Sequence, residues 1–397
     1  MKNKKIYIIF ALLLILLFSS LYYSFYMSSV PKDETSNDMI SHEEEKTIEK
    51  EKPIEDRKTT ATILAAGDVM FHAPQIKGAY DSSTHAYDFK DNFKYVKKYV
   101  EAADLALVNF ETVTAGENIG FKGYPNFNSP MESLEALSYA GFDILSTANN
   151  HALDQGKNGL LSTIDNIETI GLKNIGTYRE KNEPLLIEKV NDVNIGLLSY
   201  TYGCNGMECT LSQEELSYMI NIIDEDKIKK DIYKLKEMGS DIVVVFIHWG
   251  NEYQMEPSEE QMKLGRKMVE WGANIVFGSH PHVIQKTEIV EYGGKDNFII
   301  YSLGNFLSNQ RRETIKNKYT EDGIMINIEV EKDFAKGETI IKNVKYIPTW
   351  VKKYNIDGKA KYEIIPIDEF IDKETNQEIL TKIKESYENT MKKVSQQ

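Results

Sequence analysis

From residue 61 onward, short apolar runs alternate with longer stretches whose apolar positions recur every three or four residues. "ATILAAGDVM" (61–70), "DLALVNFETV" (104–113) and "FDILSTANN" (142–150) read as strands that end in small and polar residues. Between them, "NFKYVKKYVEAA" (92–103), "SPMESLEALSYAG" (129–141) and "KNGLLSTIDNIETIG" (157–171) carry the helical period. In the second of these, Ser-Pro supplies a helix start and Gly141 a stop. "KNIGTY", "PLLIEKV" and "VNIGLLSYTY" are strand-like, and residues 223–239 form a charged helix. "SDIVVVFIHWG" (240–250) is apolar without alternation, as in a strand buried on both faces. A helix over 258–272 then leads into "ANIVFGSHPHVIQ", followed by three more strand-like runs at 297–307, 322–331 and 341–351. Residues 366–397 read as a terminal helix with a loose end. Early βα alternation followed by β-rich segments predicts one mixed α/β domain.

The first 60 residues have a different pattern. Residues 6–27, "IYIIFALLLILLFSSLYYSFYM", carry no charge over 22 positions. At ~1.5 Å per residue such a helix spans a hydrocarbon core of ~30 Å. Lysines precede it and "DETSND" follows, which predicts a cytoplasmic N-terminus and an extracellular body. A cleaved signal peptide is the rival reading, but no clear small-x-small site follows. Residues 31–60 hold ten acidic and six basic residues and almost no large apolar ones. They cannot bury enough surface to offset their ordering entropy, so they read as a solvated stalk. The expected organisation is therefore a cytoplasmic tip and transmembrane anchor (1–28), a stalk (29–60), the α/β domain (61–350) and a C-terminal extension, strand then helix (351–397).

A formal charge of −14 without a lysine or arginine cluster argues against nucleic acid as a partner. The two cysteines, Cys204 and Cys209, are either a short-loop disulfide or two free thiols. No GxxxxGK[ST] phosphate loop occurs, which argues against an ATP-dependent ligase.

Several strand ends offer side chains able to bind metal. They are Asp68, Asn109 with Glu111, Asn149 with Asn150 and His151, His248, His280 with His282, and Asn305. Taken singly, each is weak: Gly-Asp is commonly a turn, and "NNH" could be loop capping. His248 ends a fully apolar strand and needs some partner, whether a core contact or a metal. His280 and His282 flank Pro281, which would hold the backbone extended and point both rings to one face. Together the imidazole, carboxylate and amide donors suit Mn²⁺, Fe or Zn²⁺, and a carboxylate that bridges two ions suits a two-metal hydrolytic site.

In that order, "GDVMFH", "NFET", "ANNHALDQG", "HWGNEY", "GSHPHV" and "YSLGNF" resemble the CapA (PgsA) family of poly-γ-glutamate capsule synthesis proteins over roughly residues 61–350. That family is similar in turn to calcineurin-like metallophosphoesterases. The resemblance implies a four-layer α/β/β/α sandwich with a dinuclear metal site. It implies Asp68 and His282 at one divalent ion, Asn150, His248 and His280 at the other, Glu111 bridging, and His151 as the acid that protonates a leaving oxygen or orients the phosphate. Asn109 and Asn305 match motif positions, and with Asn149 they imply support from behind the ligands. His72 stands four residues after Asp68 where the phosphoesterases have Asp-x-His, so it lines the site at most. His42 and His85 match no motif and read as surface residues. The family also implies membrane subunits of a capsule synthase as partners, and a polyanionic polymer as substrate. A phosphomonoesterase or phosphodiesterase at the cell surface is the other reading.

Overall fold

The computed structural model describes residues 56–395. The expected anchor and most of the expected stalk lie outside them. Among the described residues, no helix is long and apolar enough to cross a membrane.

Fourteen strands of three residues or more build two sheets. They are β1 (Lys58–Val69), β2 (Leu105–Phe110), β3 (Ile144–Ser146), β4 (Lys173–Ile175), β5 (Leu186–Val190), β6 (Val193–Thr201) and β7 (Ile242–His248). They continue with β8 (Ile275–Ser279), β9 (Thr287–Tyr292), β10 (Lys295–Ile300), β11 (Asn305–Leu307), β12 (Asp322–Asp333), β13 (Glu338–Ile356) and β14 (Lys359–Pro366). The first sheet runs β14-β13-β12-β1-β2-β3-β4, with β11 added beside the end of β1. Its β1–β4 half is parallel and its β12–β14 half antiparallel. The second runs β9-β10-β8-β7-β6-β5 and is parallel from β10 to β6.

Alternation along the strands assigns the layers. Ile63, Ala65 and Leu107 of the first sheet meet Leu197, Val244, Phe246 and Phe277 of the second in one buried cluster between the sheets. Leu64, Ala66 and Val108 point the other way, onto Leu134 and Leu137 of helix α2 (Glu132–Ala140) and Ile167 of α3 (Gly156–Thr169). On the far side, Val243 and Val245 pack on Ile228, Ile232 and Leu235 of α5 (Glu225–Glu237) and on Met268 and Val269 of α6 (Glu259–Trp271). The layers are thus helix, sheet, sheet, helix. Two shorter helices, α1 (Ala73–Ala79) and α4 (Gln213–Met219), flank the strand ends. The long α7 (Gln377–Val394) is N-capped by Asn376.

Some boundaries differ from the sequence reading. The helical spacing over 92–103 yields one turn, Lys97–Val100, because Tyr95, Val96, Tyr99 and Val100 are poor helix formers. β1 opens at Lys58, where the ladder to β12 and a Lys58–Glu331 ion pair of 2.8 Å extend it. β13 runs through residue 350 and pairs with β14 within the same sheet.

One close approach matters for the site. A Cβ on Gly67 would sit 1.9 Å from the Gly304 carbonyl oxygen, so only glycine lets β11 lie this near β1. That contact sets Asn305 opposite Asp68.

Candidate metal centre

The carboxyl ends of β1, β2 and β3 in one sheet and of β7 and β8 in the other deliver donors to a single point. Asp68, Glu111, Asn150, His151, His248, His280 and His282 are all buried there. Two groups of three emerge: Glu111, His248 and His280, and Asp68, Glu111 and His282, each with ligand atoms within 4.8 Å of one another. Glu111 belongs to both.

The hydrogen bonds constrain the imidazole tautomers. His248 Nδ1 lies 2.9 Å from Ser279 Oγ, which also donates to the Ile247 carbonyl (3.4 Å), and 3.4 Å from Asn109 Nδ2. With its proton on Nδ1, His248 would offer a cation Nε2, which lies 3.1 Å from Asn150 Oδ1 and 3.7 Å from Glu111 Oε1. His282 Nδ1 faces two acceptors, Asp68 Oδ2 at 3.0 Å and Asn305 Oδ1 at 3.1 Å, and so carries its proton there. Its Nε2 is also 3.7 Å from Glu111 Oε1. One carboxylate oxygen thus stands equally far from the Nε2 atoms of two imidazoles.

That oxygen has no hydrogen-bond partner among the described residues, nor has His280 Nδ1, and both atoms are buried. Leaving such groups unpaired costs free energy that a bound cation would offset. Burial, reinforced by Asp68 and Glu252, pushes the Glu111 carboxyl well above its ordinary range. Burial and the neighbouring imidazoles hold His248 well below its usual value and His280 at about 3. Neutral imidazoles, a buried carboxylate and an amide oxygen form a donor set that fits divalent metal.

Amide side chains brace the donors from behind. Asn109 Nδ2 donates to Asp68 Oδ1 (2.8 Å) and Glu111 Oε2 (3.2 Å), while Asn109 Oδ1 accepts from Asn149 (3.2 Å). Asn149 Oδ1 accepts from the His151 backbone at 3.1 Å. His72 belongs to neither ligand group. It begins α1, accepts from the Asn309 backbone at 3.3 Å, and lines a cavity of about 280 Å³ with His151 and His282.

His280 and His282 do not lie on extended chain. β8 ends at Ser279, and the two histidines have φ of +95° and +58°. Their rings converge, centroids 5.9 Å apart, because both residues take the left-handed conformation that non-glycine residues rarely adopt. Strain of this kind is held only where the surroundings enforce it. Cys204 is a buried free thiol and Cys209 an exposed one, so the loop between them is not disulfide-bonded.

Several contributors escaped the sequence reading. Asp154 Oδ2 accepts from His151 Nδ1 at 2.7 Å and from the Phe127 backbone at 2.6 Å, leaving His151 Nε2 to work. The three-residue spacing within "HALD" was the available signal. Ser279 was visible only as a polar residue before two histidines. Tyr202 covers the imidazoles, its ring centroid 4.6 Å from that of His280, and nothing in "SYTYG" marked it.

Comparisons with known proteins agree with the ordered motifs. The sequence model described as bacterial capsule synthesis protein PGA_cap matches residues 62–310. The chain is 31% identical over 269 residues to a capsule biosynthesis protein CapA of Bacillus anthracis, covering 64% of this chain and 61% of that one. It is 31% identical over 229 residues to a PGA biosynthesis protein CapA of Bacillus subtilis, covering 55% and 57%. The matched stretch therefore spans about three fifths of the length of these relatives. Among solved structures, a phosphatase of Mycoplasma pneumoniae aligns at TM-score 0.43 and 15% identity, over 74% of this chain and 94% of that one. The calcineurin-like phosphoesterase YfkN of Bacillus subtilis aligns at TM-score 0.43 and 15% identity, over 85% and 99%.

Proposed function

Because this chain belongs to the PGA_cap family of bacterial capsule synthesis proteins, we propose that it takes part in making or exporting poly-γ-glutamate through a divalent-metal centre built on Glu111. The observation that carries this reading is the buried Glu111 Oε1, unpartnered and 3.7 Å from Nε2 of both His248 and His282. In it, Glu111 would be shared by two ions, one held by Asp68 and His282 and the other by Asn150, His248 and His280. Two such ions, when bound, polarise an oxygen of the substrate and lower the pKa of water. Asp68 and Asn305 fix the His282 tautomer that leaves its Nε2 free, and Ser279 would take the Nδ1 proton of His248 once its Nε2 holds an ion. His151, oriented by Asp154, holds or releases a proton at the cavity through Nε2.

The charge-free stretch at residues 6–27 supports a membrane anchor, with the α/β domain outside the cell and membrane subunits of the capsule machinery beside it. Capsule-forming cells that lack this chain are expected to regain polymer when supplied with the wild type, and not when supplied with Glu111→Ala made at the same level. Equal polymer from both contradicts the proposal.

The His151–Asp154 pair favours a second reading, metal-dependent phosphoester hydrolysis, since a leaving alkoxide needs a proton donor. Its sign is turnover of an alkyl phosphate ester by Mn²⁺-loaded protein, lost in His151→Ala.

A further inference from the structure

The cavity lined by His72, His151 and His282 has one wall that is tied to the domain at few points. Thr314 and Ile315 line it too, and they belong to a turn, residues 312–318, in the loop between β11 and β12. Residues 313–316 are all exposed, so the tip of the turn buries almost nothing. Among the described residues, 313–317 make hydrogen bonds and ion pairs only within residues 309–320. A segment with so few outside contacts can open locally while the rest of the domain stays folded.

Both ends of the turn meet the same side chain of α7. Lys318 Nζ donates to Glu385 Oε1 at 2.5 Å, and Arg312 Nη1 donates to Glu385 Oε2 at 3.2 Å. Arg312 keeps a second carboxylate, Glu321, at the base of the loop. Lys318 has no other ion-pair partner among the described residues. The Arg312, Lys318 and Glu385 side chains are 27%, 36% and 34% exposed, so these pairs are weak and screened by salt. The same helix also holds a second part of the cavity wall. Lys393 Nζ donates to the Met255 carbonyl at 3.0 Å and pairs with Glu256, just beyond Glu252 and Tyr253, which line the cavity.

We propose that residues 312–318 are a flap on the metal-centre cavity and that Glu385 is the latch that holds it shut. Opening breaks the two ion pairs at Glu385, moves Thr314 and Ile315 away from the cavity and admits a ligand to the ions. Closing restores both pairs. Glu385 is a positioning residue, acting on the cavity only through Arg312 and Lys318. The inference rests on the metal-centre reading and adds a gate to it.

The test is hydrogen–deuterium exchange over residues 311–320 in the Mn²⁺-loaded full chain. The rate at which a chelator extracts Mn²⁺ is the second readout. The proteins are wild type, Glu385→Ala and Glu378→Gln. Alanine keeps α7 helical. Glu378 pairs with Lys382 inside α7, so its variant controls for a charge lost from the helix. In Glu385→Ala, exchange over 311–320 is expected to rise about fivefold or more, and Mn²⁺ extraction several-fold, at unchanged Mn²⁺ stoichiometry. Raising salt from about 0.05 to about 0.5 M speeds both in wild type and neither in Glu385→Ala. Glu378→Gln behaves as wild type. Unchanged exchange over 311–320 in Glu385→Ala, or a rise shared equally by β13 and α7, overturns the latch. Faster exchange with unchanged extraction overturns the gate, because the turn then moves without controlling the cavity. A chain that binds no Mn²⁺ overturns the metal-centre reading, while the exchange comparison still decides whether Glu385 latches the turn.

Discussion

Two of the places where the domain buries acidic side chains treat them in opposite ways. At the β12 entrance, Glu321 is met by three side chains. Arg312 Nε lies 3.1 Å from Oε2, Arg311 approaches to 3.5 Å, and the Trp350 indole N–H donates at 3.3 Å. At the strand ends, Glu111 receives one amide donor on Oε2, and its Oε1 has no partner among the described residues. The first cluster is closed with the protein's own cations. The second is arranged so that the compensating charge comes from solution. Burial alone therefore does not mark a functional carboxylate; what its oxygens face does.

Three substitutions sharpen that contrast. The largest effect belongs to Asp322, beside Glu321, whose buried carboxyl is pushed up to about 8, with Glu321 raising it further and Arg312 opposing. The folded protein keeps this proton while the unfolded chain releases it near pH 4, so stability is lost as pH rises between about 4 and 8. Asp322→Asn should melt with the wild type near pH 4 and above it by pH 8, by on the order of a few kcal/mol at ~1.4 kcal/mol per pKa unit. Parallel melting curves across that range would refute the assignment.

Arg312→Ala should cost roughly 2–3 kcal/mol in denaturant unfolding, below the usual loss for a broken buried pair because Arg311 remains. Its metal content should not change; a loss of metal would mean that the two clusters are coupled.

Ser279→Ala is the smallest. Removing the acceptor for His248 Nδ1–H should cost about 1 kcal/mol of stability. It should also weaken metal binding about tenfold, measured by competition with a chelator, as is usual for a partner that orients a ligand. Unchanged affinity would show that His248 does not bind through Nε2.

Much of the site was legible because apolar strands stop abruptly at donors: Asp68, Glu111, Asn150, His248 and the two histidines after β8 all follow buried runs. A parallel sheet collects such ends at one edge, so order along the chain becomes convergence in space. What stayed hidden depended on contacts distant in sequence or on backbone conformation. Asn305 meets Asp68 because β11 inserts beside β1, a juxtaposition that Gly67 permits but does not announce. The left-handed φ of His280 and His282 is set by packing rather than by residue type, so Pro281 misled toward an extended geometry. Asp154 and Ser279 act through histidines. Tyr253 sits in the quoted "HWGNEY", yet its hydroxyl is met by Gln310, 57 residues beyond it.

The most direct test is Mn²⁺ stoichiometry by equilibrium dialysis on the full chain, comparing wild type, His248→Ala and Glu111→Ala. If Glu111 is shared by both groups, the wild type binds two ions, His248→Ala keeps one, and Glu111→Ala loses both. A wild type that binds no metal, or a Glu111→Ala protein that binds as much as the wild type, would contradict a centre built on that carboxylate.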